Sequence, residues 1–573
     1  MKRWITASID LEAADRLVQE SGLPLSFSKL CLARNLRSWE EVQLFRDARL
    51  SRLSDPFELV GVEVAALRLL QALKEKERVT VFGDYDVDGI TSTALLIQLF
   101  SELDIIATPF IPDRMEEGYG VTTEAMQRCL ECTNPDLIVT VDCGISSVTQ
   151  VQLAKQAGVE VIVTDHHEPG EIIPDAVAVI NPKLQGASPY HALAGVGVAF
   201  KLAHGLLKLG RASGVPGFED VDLRRYLDLV AVGTVCDMVP LTDENRIFAR
   251  QGIARLRKTD HTGLKALAEC ASIKLAEADG YHIGFQLGPR LNASGRLSSA
   301  ATSLQLLLTD DATVAEENAL LLDEHNTERR RMEAAMLAEA CEQIDARFDP
   351  AHDFFLVVSS NAWHPGVIGI VASRLSKKYR RPTAVIAIDE KGEGRGSCRS
   401  IEDFNIVEAL NQCETLLGHH GGHPMAAGFS IQADRIASFS EAINDLARRH
   451  LEGRDLREPV RIDCGLSLGE LNRELYQLIE TLAPFGMGNP KPVISTGGPG
   501  VQVSSKRLVG QKHTKLTITD GQDRINGIYF NCLPEAIPEG DVCVALTLQL
   551  NHFNGNTQLE CNVLDITSHA RKS

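Results

Sequence analysis

The chain has 573 residues, more than one hydrophobic core usually serves, so about two to four domains are expected. Its 44% hydrophobic and 24% charged residues match a water-soluble globular protein, and no apolar run approaches the roughly 20 residues that would cross a bilayer. A formal charge of −19 disfavours nonspecific attraction to nucleic acid and favours cation binding, while 13 scattered cysteines without a secretory pattern exclude a disulfide framework.

The opening stretch MKRWITASIDLEAADRL carries two basic residues but no apolar segment behind them, which predicts no signal peptide, no membrane association and a cytoplasmic address. Residues 1–48 read as an N-terminal extension. From about Glu75, short apolar runs (RVTVFGDYD, IIATPFIP, DLIVTVDCG, VEVIVTDHH) alternate with helical stretches, the pattern of a parallel α/β sheet, and residues 195–310 turn mostly helical; together they define a first domain over 49–309. Cys129 and Cys132 lack a second pair to complete a zinc site. The charged segment 310–349, without Gly or Pro, reads as one connecting helix of roughly 60 Å. A smaller α/β domain follows over 350–453. Residues 454–573 alternate in short runs separated by Gly, Asn and Asp, which predicts a small antiparallel β domain closed as a barrel.

Within GDYDVDG, Asp84, Asp86 and Asp88 occupy alternate positions, so a continuing strand would put three carboxylates on one face, where they repel unless cations compensate. The next strands end alike, DLIVTVDCG with Asp142 and VEVIVTDHHEPG with Asp165, His166 and His167. The carboxyl ends of parallel strands face the ligand crevice, so these groups converge. In LVAVGTVCDMVPL, Asp237 is the one ionisable side chain besides Cys236, and a buried carboxylate needs a cation or hydrogen-bond donors. Carboxylates with imidazole and no thiolate pair suit Mn²⁺ or Mg²⁺ better than zinc. Two such ions ~3.5 to 4 Å apart, bridged by a carboxylate, would activate a water and clamp a phosphate ester, which implies metal-assisted phosphoester hydrolysis.

The motifs DYDVDG, VDCG, TDHHEP and VGTVCDMVPL resemble those of the DHH phosphoesterase superfamily, and GDYDVDGITSTALL narrows the resemblance to its bacterial single-strand-specific exonucleases. It extends from about Leu50 to the carboxyl end through IPDRMEEGYG, GPRLNASGRL, GSCRSI, GGHPMAAGF and PFGMGNPKPV. The fold implied is α/β: a parallel-sheet DHH domain, a long connecting helix, a smaller α/β DHH-associated domain and a C-terminal β-barrel of the OB-fold type. The resemblance makes Asp86, Asp88, Asp142, His166 and Asp237 metal ligands with Asp142 bridging, and Asp84 either a ligand or the carboxylate behind them. Asp165 would orient His166, and His167 would meet the scissile phosphate or leaving oxygen. From the second domain His423 would face the metal centre, with Gly421 and Gly422 permitting close backbone approach. A 5′-phosphate pocket would be formed by Ser397, Arg399, Arg114, Tyr119 and either Arg290 or Arg296. Cys398 and Ser294 depart from the family pattern, Ser294 standing where alanine is usual.

The activity implied is 5′ to 3′ degradation of single-stranded DNA with two Mn²⁺ or Mg²⁺ ions, releasing 5′-mononucleotides in repair and recombination. A helicase and a single-strand-binding protein are the implied partners. The acidic total is offset between Val371 and Ser400, where eight basic residues face three acids, so Lys377, Lys378, Arg380 and Arg381 are a candidate DNA surface, with Trp363 and Tyr379 either stacking on bases or buried. In the β domain Lys506, Arg507, Lys512, His513 and Lys515 could line a single-strand groove. Two other readings stay open: a DHH enzyme for oligoribonucleotides or small phosphoanhydrides, and an inactive DNA-binding scaffold.

Overall fold

Val79–Gly83 and Leu137–Val141 are buried at every position, as strands covered on both faces must be. They lie inside a five-stranded parallel sheet ordered Ala107–Phe110, Val79–Gly83, Leu137–Val141, Glu160–Thr164, Ala178–Ile180. The register sets Gly83 opposite Val141 and Val141 opposite Thr164. Asp84, Asp142 and Asp165, the next residues in each strand, therefore leave one sheet edge side by side. Helices Val62–Glu75, Val87–Glu102, Gly195–Ala212 and Leu227–Cys236 share a core with the sheet through Leu69, Val81, Leu96, Val139, Leu202 and Val232. Each such side chain contributes roughly 1.5–3 kcal/mol by leaving water.

The computed structural model describes residues 2–113, 120–553 and 556–569. The chain forms two compact units, one of Arg49–Arg454 and one of Met1–Ala48 with Asp455–Ser573. In the larger unit the charged segment without Gly or Pro is a 34-residue helix, Ala312–Asp345, about 51 Å long, opened by the Asp311 side chain accepting from the backbone N–H groups of Thr313 and Val314. Its first half packs Ala315, Ala319 and Leu322 into the core under the parallel sheet, and its second half packs Met336, Ala340 and Ile344 against Leu356, Val371 and Val385. The second sheet has the order His420–His423, Ala426–Gln432, Glu393–Arg399, Thr383–Ile388, Leu356–Ser360, with only the last two strands parallel.

In the smaller unit seven strands form one sheet, mostly antiparallel. Two pairs depart from the all-antiparallel expectation: Cys464–Gly465 runs parallel to Ile494–Gly497, and Arg524–Tyr529 runs parallel to Asn556–Ser568. Residues 1–48 are not an appendage. Arg3–Thr6 pairs in parallel with Pro459–Ile462, and Leu17, Phe27, Leu30 and Val42 share one core with Ile494, Leu546 and Val563. Among the described residues, no helix is long and apolar enough to cross a membrane.

Candidate metal centre

The loop after Val79–Gly83 turns at once into a helix, and its carboxylates do separate jobs. Asp86 is the N-cap of Val87–Glu102, its Oδ1 accepting from the N–H groups of Asp88 and Gly89 at 2.9 and 3.2 Å. Asp88, the second residue of that helix, points the other way, its Oδ2 accepting from Gly195 N at 2.6 Å and its Oδ1 from Val196 N at 2.9 Å. Those two donors open the helix Gly195–Ala212, whose positive end favours an anion. Asp84 is buried and its Oδ1 accepts from Tyr85 N at 2.8 Å. Asp142 follows its strand with φ of +60°, a left-handed conformation that aspartate tolerates better than most residues but that still costs energy. Asp237 is the C-cap of Leu227–Cys236.

These side chains meet. His166 Nε2 lies 3.0 Å from Asp142 Oδ1, 3.6 Å from Asp237 Oδ2 and 3.8 Å from Asp88 Oδ2. Asp142 Oδ1, His166 Nε2 and Asp237 Oδ2 are all buried without a hydrogen-bond partner, which would be costly unless something else binds them. Three overlapping ligand sets result, Asp84 with Asp86 and Asp142, Asp88 with His166 and Asp237, and Asp142 with His166 and His167, each with donor atoms within 4.8 Å of one another. Asp142 belongs to the first and touches His166 of the second, the position a bridging carboxylate needs.

Burial, then the charges of neighbouring carboxylates, hold Asp88 and Asp142 well above the ordinary carboxylate range, and the same causes raise Asp237 to about 7. Burial, helped by the charge of His167, depresses His166 to about 3, which leaves its imidazole neutral and able to ligate. Five carboxylates with an imidazole and no thiolate fit hard divalent cations.

Asp165 serves a different histidine from the one expected. Its Oδ1 is 2.8 Å from His167 Nδ1, whereas of His166 it bonds only the backbone N–H. Burial opposes a charged His167, but the hydrogen bond and charge of Asp165, with Asp237 and Asp84 beyond, prevail and raise it to about 9. Asp165 Oδ2 also accepts from Ile145 N at 2.9 Å, which fixes the carboxylate.

In the second domain Arg399 Nη1 donates to Ser397 Oγ at 3.1 Å, and a Cβ on Gly369 would lie 3.0 Å from Arg399 Nη2 and 3.1 Å from that hydroxyl. Arg296 reaches the same turn, Nη1 donating to Gly366 O at 3.3 Å. Arg290 does not; it donates to Asp323 Oδ1 and Gln286 O, each at 2.8 Å. Arg114 and Tyr119 lie outside the described residues. His423 is exposed at the end of its strand, and its charge, behind the hydrogen bond from Lys183, helps hold Glu168 below the usual range, so it lies within electrostatic reach of the residue after His167. Gly422 has φ of +146°, and a Cβ there would meet Ala426 O at 2.4 Å, so glycine is required by the hairpin itself.

The basic run is corrected in part. Arg381 is buried, donating to Asp353 O at 2.6 Å and Pro350 O at 2.9 Å, and cannot be a DNA contact. Lys378 is tied to Tyr379 and Asp345, and Trp363 is buried with its Nε1 donating to Glu339 at 2.8 Å. In the β unit Lys515 pairs with Glu560 at 3.8 Å and Lys506 reaches Ile537 O at 3.4 Å.

Sequence reasoning missed the residues that hold the ligands. Asn292 accepts from Val87 N at 3.2 Å, tying GPRLNASGR to the DYDVDG loop, and a Cβ on Gly295 would stand 2.9 Å from Tyr85 O. A Cβ on Gly195 would lie 2.7 Å from both Cβ and Oδ1 of Asp142, and one on Gly233 2.9 Å from Asp88 Oδ1. The repeated glycine in AGVGVAF was the available signal. Ser294 Oγ finds Ser303 Oγ at 2.9 Å.

Three family models match: the DHH family N-terminal domain over residues 78–234, the DHHA1 domain over 352–449 and the RecJ OB domain over 462–565. The single-stranded-DNA-specific exonuclease RecJ of Escherichia coli is 37% identical over 562 residues, covering 94% of this chain and 95% of that protein. The crystal structure of RecJ in complex with Mn²⁺ from Thermus thermophilus matches with a TM-score of 0.84 at 31% identity, covering 99% of this chain and 80% of that one. The Mg²⁺ complex from the same organism matches at 0.78 and 29%, covering 100% and 79%.

Proposed function

The chain belongs to the RecJ family of single-stranded-DNA-specific exonucleases, and from that premise we propose that it hydrolyses single-stranded DNA from the 5′ end, using two divalent ions and releasing 5′-mononucleotides. The observation that carries this is the convergence of three buried ligand atoms that lack a hydrogen-bond partner, Asp142 Oδ1, His166 Nε2 and Asp237 Oδ2, at the carboxyl edge of the parallel sheet. Asp84, Asp86 and Asp142 would hold one Mn²⁺ or Mg²⁺ and Asp88, His166 and Asp237 the other, with Asp142 shared. When bound, such a pair supplies an activated water and neutralises charge on the phosphate under attack.

The chain's own groups supply the remainder. His167, held as an imidazolium by Asp165, would donate a proton to the leaving oxygen or a hydrogen bond to the phosphate. Arg296, Ser397 and Arg399, gathered near Gly366 and Gly369, would provide a guanidinium and hydroxyl pocket for a terminal phosphate and so set polarity. His423, from the second domain, would donate to developing negative charge, a reading supported by its electrostatic influence on Glu168, the residue after His167. The β unit would hold the undigested strand, and a helicase with a single-strand-binding protein would supply it.

The test is digestion of one oligonucleotide labelled at either end, in Mn²⁺, Mg²⁺ or chelator, beside an Asp142→Ala variant. Immediate release of a labelled mononucleotide from the 5′ end, absent in chelator and in the variant, is expected. Release from the 3′ end first, or equal digestion of blunt duplex, would sink the proposal on polarity or strand specificity.

A further inference from the structure

One helical rod joins the loop of the metal centre to an exposed aromatic pair. It runs as Gly280–His282, a π-helical turn Ile283–Leu287 and Gly288–Leu297. At its C-terminal end Arg296 reaches the Gly366 turn, and one turn earlier Asn292 fixes the DYDVDG loop. Next, a Cβ on Gly288 would lie 2.4 Å from Cys236 Sγ and one on Gly284 3.7 Å from Val235 Cγ1, so the rod lies on the two residues preceding Asp237. At its N-terminal end stand Tyr281 and Phe285, 59% and 65% exposed, their rings stacked at 5.1 Å with 28° between planes. Met238, immediately after Asp237, is 66% exposed.

Two large aromatic rings left in water and stacked on each other, one just before a π turn and one within it, are an unusual use of residues that ordinarily bury their surface. Their place on the rod gives them an occupant. From Arg296 through Asn292 to Phe285 the rod passes the terminal-phosphate turn, the metal loop and then the rings, in one direction. Phe285 and Asn292 are seven residues apart, about 10 Å along the axis, or roughly three nucleotides at stacked spacing.

We propose that Tyr281 and Phe285 form a base-stacking platform for the strand that has yet to be cut, engaging bases about three nucleotides on the 3′ side of the scissile bond. The inference rests on the exonuclease reading given above and adds to it the residues that grip the incoming strand. Stacking on aromatic faces is tolerant of sequence, as an enzyme consuming any strand requires. The platform holds the strand in line without taking part in the chemistry.

The test uses the full chain with Phe285→Ala, Phe285→Trp and the Tyr281→Ala/Phe285→Ala pair. The readout is the ratio of kcat/KM for a 20-nucleotide strand to that for a 5′-phosphorylated dinucleotide, in Mn²⁺. The ratio should fall about tenfold for each ring removed and stay near the wild-type value with Trp. An abasic third and fourth nucleotide should lower the wild-type ratio to the same degree and leave the double variant's ratio unaltered. An unchanged ratio in the double variant, or a loss that abasic sites do not reproduce, overturns the platform. A change in sedimentation of the double variant with the ratio intact also overturns it, in favour of a protein-binding surface. Failure of the wild-type chain to digest either substrate would refute the exonuclease reading itself, a result separable from the others.

Discussion

Gly195→Ala tests whether the space beside Asp142 is part of the metal centre. Gly195 opens the helix Gly195–Ala212 outside the left-handed region, so the backbone admits alanine, and intrinsic helix propensity favours it by up to about 1 kcal/mol. The added methyl would stand 2.7 Å from Asp142 Cβ and Oδ1, so the carboxylate must retreat by about 0.7 Å to reach ordinary contact. Overpacking of this kind costs about 1–3 kcal/mol, partly offset by the propensity gain, so in chelator the variant should melt within a few degrees of wild type. Function should suffer far more, because displacing a reacting group by about 1 Å costs on the order of 100-fold. Calorimetry with and without Mn²⁺, beside steady-state digestion of a labelled oligonucleotide, separates the two effects. Wild-type protein should gain about 2.7 kcal/mol at a Mn²⁺ concentration 100 times its Kd, and the variant little. A variant that folds, binds Mn²⁺ as wild type does and retains activity within threefold would refute the claim that glycine is required there for room.

Arg296→Ala should abolish discrimination between 5′-phosphorylated and 5′-hydroxyl substrates, whereas Arg290→Ala should keep it and lower the melting temperature, because Asp323 loses its partner; paired substrates and a thermal scan separate them. In chelated protein the His167 imidazolium should persist to about pH 9, so its stabilising contribution is complete below about 6.5 and is lost as pH rises through 9. Asp165→Asn should return its titration, followed by NMR of the ring, to below neutrality. Lys201→Met leaves Glu244 buried without its cation and should cost about 3–5 kcal/mol, seen as a large drop in denaturation midpoint, while Lys201→Met with Glu244→Leu should recover much of it.

What the sequence disclosed follows from range of interaction. Strands ending in aspartate and histidine were readable because period, burial and terminal residue are local, and parallel pairing alone then brings Asp84, Asp142 and Asp165 to one edge. The assignment of Asp165 to His166 went astray because adjacent residues leave a strand end on opposite sides, and only the turn decides which ring comes back. Arg381 looked like surface in KKYRR, yet its guanidinium is satisfied by the carbonyls of Pro350 and Asp353, partners some thirty residues away. The place of residues 1–48 was illegible for the same reason, since Arg3–Thr6 pairs with a strand beginning at Pro459.

That last pairing has a consequence on the ribosome. The strand and helices made first belong to a core whose other half is encoded beyond residue 454, so Leu17, Phe27 and Leu30 must wait for it. At about 5–20 residues per second, the intervening segment 49–454 takes roughly 20 to 80 s to synthesise. During that interval the larger unit has its whole sequence and can fold, while the apolar side chains of residues 1–48 still lack the other half of their core. A circular permutant that joins the two halves of the small unit in sequence would remove the delay, and its yield without chaperone assistance should exceed that of the natural order.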